Sequence, residues 1–105
     1  STMAPGGIDI YMSGAIPGWR ISLLALSLIR GVVYRLPLAA DGRSVVNPPV
    51  ELFPTANRYR DIALNPDGVT FYIATDPEGP NRDTSGQPRP LANPGSILEF
   101  KYTGK

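Results

Sequence analysis

Apolar residues in this chain come in short alternating runs divided by glycine and proline. Gly7 to Met12 alternates with period two, placing Ile8 and Ile10 on one face and Asp9 and Tyr11 on the other, as a β-strand does. Ser13-Gly14 and Pro17-Gly18 interrupt the chain before Trp19. Ile21 to Ser27 is a compact apolar run bounded by turn residues, which predicts a buried strand, although its leucines suit a helix equally well. Val32 to Leu38 follows after Gly31 as an alternating, β-branched strand. Pro48-Pro49 rules out central pairing there, so Val50 to Phe53 is expected as a short outer strand.

The same grammar restarts after Asn57. Tyr59 to Leu64, the turn Asn65-Pro66-Asp67-Gly68, and Val69 to Thr75 predict a hairpin, with Val69, Phe71 and Ile73 on one face. Residues 76–94 are rich in turn formers with little to bury, and loops of this length are commonly functional or disordered. Ser96 to Tyr102 is expected as a closing strand, with Leu98, Phe100 and Tyr102 inward. Two units emerge, residues 1–56 with four strands and residues 57–105 with three. The fold class is therefore all-β, with the rhythm of four-stranded propeller blades, which a sandwich would also show.

Composition narrows the chemistry. Twelve prolines and eleven glycines among 105 residues suit many short strands and tight turns, and would break a helical bundle. The formal charge of +1 carries no footprint for nucleic acid or an anionic membrane. The longest apolar run, Ile21 to Ile29, is too short to cross a bilayer as a helix. With neither cysteine nor histidine, the chain cannot supply a disulfide, a Ser-His-Asp triad, a usual zinc site or a histidine base.

Arg58 and Arg60 are the leading candidates for binding. Two residues apart in a strand, they share a side, with roots roughly 7 Å apart. Guanidinium forks suit planar carboxylates. The plainer alternative is a surface pair bridged to Asp61 or Glu51.

An ordered series of stretches resembles the glucose/sorbosone dehydrogenase family, specifically the C-terminal region of its soluble quinoproteins. The series runs Ala4-Pro5-Gly6-Gly7, Ile16-Pro17-Gly18-Trp19, Ser27 to Arg35, Asn57-Arg58-Tyr59-Arg60-Asp61, Asn65-Pro66-Asp67-Gly68, Ala74-Thr75-Asp76 and Asn93 to Phe100. The resemblance implies a fragment of a six-bladed β-propeller, about two blades, with the last lacking a strand that comes from the parent's N-terminal segment. It implies a parent that oxidises an aldose at C1 by hydride transfer to pyrroloquinoline quinone, with calcium and a histidine base supplied outside this chain. Such a parent is expected in the periplasm or secreted, and this chain alone is expected to be inactive. Partners would be the sugar and the remaining blades, or a second copy joined through open strand edges.

By the same resemblance Arg58 and Arg60 hold the quinone's carboxylates, and Asp76 and Thr2 line its pocket. Arg30 is a further candidate contact, because the family carries lysine where this chain has Ile29, and isoleucine offers neither charge nor donor. That departure keeps open a module that has lost its cofactor, and a free-standing carbohydrate-binding sandwich remains a third reading. Trp19 reads as a packing aromatic, and Asp67 as turn chemistry.

Overall fold

A computed structural model describes residues 5–27 and 29–104. They form seven strands: β1 (Pro5–Tyr11), β2 (Ser22–Ser27), β3 (Val32–Pro37), β4 (Val50–Leu52), β5 (Tyr59–Leu64), β6 (Thr70–Thr75) and β7 (Ile97–Lys101). Within each sheet consecutive strands pair antiparallel, giving a four-stranded sheet β1-β2-β3-β4 and a three-stranded sheet β5-β6-β7. The all-β expectation holds, and two consecutive meandering sheets are consistent with a propeller fragment. Among the described residues no helix is long and apolar enough to cross a membrane.

The strands begin and end where the backbone turns left-handed. Ile21 has φ 56° and Phe53 has φ 53°, conformations that do not continue a pleat. The second strand therefore starts at Ser22 and the fourth stops at Leu52, one residue inside the expected bounds. Leu38, expected within the third strand, instead makes an isolated bridge to Val45.

The core lies between the sheets. Tyr11, Leu24, Leu26 and Val33 of the first sheet meet Tyr59, Ile62, Phe71 and Ile73 of the second. Ile8 and Ile10 point the other way, outward, and are 64% and 49% exposed. Trp19 packs as expected, edge-on to Tyr11 at 5.6 Å and tilted against Phe71 at 5.7 Å between centroids. The Arg35 guanidinium sits over its ring at 5.2 Å, a cation–π contact that also covers apolar surface.

Polar and main-chain contacts tie the sheets together. The Tyr11 hydroxyl donates to the carbonyl of Gly68 in the β5–β6 turn. Elsewhere, Gly31 in the β2–β3 turn lies against the linker between the sheets, and a Cβ there would collide with the carbonyl oxygens of Thr55 and Asn57. Its φ of 61° is also one that glycine adopts cheaply. Thr55 N–H donates to the Gly31 carbonyl at 3.0 Å, completing the contact.

Candidate functional site

The first strand of the second sheet opens with Tyr59 and Arg60, and Arg58 directly precedes it. Tyr59 faces the core and is fully buried, so its neighbours are turned away from it. Pairing with β6 shifts register between Tyr59 and Asp61, so Arg60 is an extra residue in a β-bulge. Bulges bend a strand and re-aim its side chains, and simple alternation is interrupted here.

The two arginines nevertheless converge. Arg58 Nε lies 3.1 Å from Asp76 Oδ2, and Arg60 Nε lies 3.6 Å from Asp76 Oδ1. Asp76 is brought opposite because it follows β6 directly and its N–H donates to the Arg58 carbonyl at 2.9 Å. The sequence-based alternative named Asp61 or Glu51 as the bridging acid. Instead, Asp61 accepts the N–H of Ile62 and Glu51 pairs with Arg30, so the bridge falls to an acid in another loop.

The arginines differ in freedom. Arg58 also donates through Nη1 to the Pro80 carbonyl at 2.7 Å, and its side chain is 15% exposed. Arg60 is 65% exposed, and among the described residues its terminal amines have no hydrogen-bond partner. The cluster holds two cations and one anion, a net charge of +1. One guanidinium is fixed by protein acceptors and one has its fork open to solvent, an arrangement whose chemistry suits a carboxylate.

Arg30 is held elsewhere. Its Nη1 donates to the Tyr34 hydroxyl at 2.8 Å and to Glu51 Oε2 at 3.1 Å, and its Nη2 to Glu51 Oε1 at 3.3 Å. That bidentate pair braces the β2–β3 turn against β4. Thr2 lies outside the described residues. The described residues contain no group of three or more His, Cys, Asp or Glu side chains placed to hold a metal ion.

Sequence reading missed the polar scaffold above this cluster. The 76–94 loop does not hang free but reaches across to the first sheet. Asn81, 3% exposed, donates its side-chain amide to the carbonyls of Ile29 at 2.7 Å and Asn57 at 2.6 Å. Asn57 is fully buried, and its amide oxygen accepts Asn93 N–H at 2.7 Å. Buried asparagines must find such partners. The available signal was Asn81, Arg82, Arg89 and Asn93 within a loop too polar to pack.

The family model for Glucose / Sorbosone dehydrogenase matches residues 1–83. Quinoprotein glucose dehydrogenase B of Acinetobacter calcoaceticus is 38% identical over 107 residues, an alignment covering 99% of this chain and 22% of that protein. The chain thus spans about a fifth of the length of the curated relative it matches.

Proposed function

The chain belongs to the glucose/sorbosone dehydrogenase family, and from that premise we propose that it forms the carboxylate-gripping side of a pyrroloquinoline-quinone pocket in a propeller-built sugar dehydrogenase. On this reading residues 1–56 are one blade and residues 57–105 most of another. The observation that carries the proposal is the convergence of Arg58 and Arg60 on Asp76, with the Arg60 fork left open to solvent.

The donor set fits the group. The quinone is a planar tricarboxylate, and a carboxylate in the plane of a guanidinium takes two parallel hydrogen bonds. Arg60 would engage one carboxylate through its terminal amines while Nε stays on Asp76. Arg58, already held at Nε and Nη1, would contribute its remaining amine and a fixed positive charge. Asp76 would orient both guanidiniums and reduce their mutual repulsion. Bound there, the quinone would accept the hydride leaving C1 of an aldose. This chain has no histidine, so the base that takes the sugar hydroxyl proton would come from outside it, as would the carbonyl ligands for calcium. A parent of this kind acts in the periplasm or outside the cell.

One observation favours a second reading, a propeller module without cofactor. Ile29 stands where the family carries lysine, and its contribution here is its carbonyl, which accepts from Asn81 and from Arg82 N–H at 3.0 Å.

The two readings separate in a quinone titration of the full-length protein, with Arg58→Ala and Arg60→Ala beside it. The first expects saturable binding that each variant weakens about tenfold or more, the scale of a lost charge-assisted hydrogen bond. It also expects the unaltered protein to reduce an artificial acceptor with aldose, quinone and calcium. Equally weak binding by all three proteins supports the module.

A further inference from the structure

Arg89 stands between two prolines, Pro88 and Pro90, whose fixed φ angles restrict the backbone on either side of it. It is half-buried, and among the described residues no carboxylate lies within ion-pair distance of it. Its acceptors are amide oxygens from three parts of the chain. Nη2 donates to the Arg30 carbonyl and to the Thr55 carbonyl, each at 3.0 Å, and Nε donates to Asn81 Oδ1. Its own N–H bonds the Asn81 carbonyl at 3.0 Å. One guanidinium thus joins the β2–β3 turn, the linker between the sheets, and the loop after β6.

What Arg89 secures is the segment that touches Arg58. Asn81 follows Pro80, whose carbonyl accepts from Arg58 Nη1 at 2.7 Å. Gly79 lies directly on the Arg58 guanidinium. Asn81 also bonds the carbonyl of Asn57, the residue before Arg58, at 2.6 Å. Arg58 is therefore gripped at its backbone and at its side-chain tip by the same three-residue stretch, which Arg89 ties to the other sheet alongside the bond from Asn81 to the Ile29 carbonyl. Polar bonds rather than apolar contacts hold this stretch, since Glu78, Gly79 and Pro80 are all exposed.

We infer that Arg89 is a positioning residue for the anion receptor: it straps the 76–94 loop across the seam between the sheets and thereby holds the Arg58 guanidinium in its receiving geometry. The inference rests on the proposed anion-binding reading for its functional consequence, and on the strap geometry alone for its structural one. A guanidinium is needed because a lysine ammonium cannot span Asn81 Oδ1 and two carbonyls from a planar fork.

The test is a double-mutant cycle in the full-length protein, with pyrroloquinoline quinone as the probe and amide hydrogen exchange measured on the same four proteins. Arg89→Ala is expected to weaken quinone affinity about tenfold when Arg58 is present and hardly at all in Arg58→Ala, because residues acting through one another are not additive. Arg89→Lys should recover only part of the loss, and Arg43→Ala, in an exposed turn, should change nothing. Additive losses from Arg89→Ala and Arg58→Ala would overturn a role through Arg58. Exchange at the Arg82 amide, which donates to the Ile29 carbonyl at 3.0 Å, should accelerate at least tenfold in Arg89→Ala relative to the hairpin amides of β5 and β6. If the unaltered protein does not take up the quinone, the cofactor reading fails while the exchange result still decides the strap: unchanged protection of the Arg82 amide overturns it.

Discussion

Gly79 lies so close to the Arg58 guanidinium that a Cβ on it would stand 2.8 Å from Cζ and 2.9 Å from Cδ. Its φ of 122° is in addition a region that side-chain-bearing residues avoid. Side-chain tips elsewhere swing aside cheaply, but this one is held by Asp76 and the Pro80 carbonyl. Gly79→Ala must either lift the loop or break one of those bonds. A loss of about 1–3 kcal/mol is expected from the backbone strain, read as a lower urea midpoint. A midpoint matching the unaltered protein would mean that the loop has slack at this position.

Tyr59 makes a second measurable contribution. Its ring is buried, its hydroxyl donates to the Phe53 carbonyl, and Thr55 Oγ1 lies 2.8 Å away. Burial pushes its pKa above the ordinary 10.0, because an ionised phenolate would lose hydration. A raised folded value means that this contribution is whole below the unfolded pKa and is lost as pH rises through the folded one. Tyr59→Phe should cost about 1 kcal/mol near neutrality and should lose stability less steeply above about pH 10. Parallel curves for the two proteins would refute the assignment.

Acid acts through the hairpin turn. Asp67 accepts the N–H of Val69 at 2.9 Å and that of Thr70 at 3.0 Å, and the Thr70 hydroxyl at 2.9 Å. These bonds, led by that from Val69, hold its carboxyl below the ordinary carboxylate pKa of 3.8. A lowered folded value gives stability that is present above the unfolded pKa and lost as pH falls through the folded one. Asp67→Ala should be less stable than the unaltered protein near neutrality, and that gap should close by about pH 2. A gap that persists undiminished would assign the loss to something other than the carboxylate.

Most of the seven strands were legible from alternation and from the Gly and Pro residues that bound them, because a pleat with one buried face writes its period into the chain; the second showed only as an apolar run that a helix would also fit. The strand ends at Ile21 and Phe53 were not, since nothing in either residue type announces a left-handed turn. Nor did the pattern show that Ile8 and Ile10 face outward, because which face of a sheet is covered depends on its neighbour. The pairing of Arg58 with Arg60 was legible as spacing, but its acid was not: Asp76 is eighteen residues from Arg58 in the chain and arrives through the strand pairing of β5 with β6. Asn81 and Arg89 were the least visible. Their bonds join loops far apart in sequence, and such contacts have no period to detect.

The crowding at Gly31 has a mechanical meaning. Peptide oxygens of Thr55 and Asn57, rather than side chains, limit how near the β2–β3 turn can come, and main-chain atoms do not change with substitution. Altering the interior residues can soften the interface, yet any side chain added at position 31 would still meet main-chain oxygens that substitutions elsewhere do not remove.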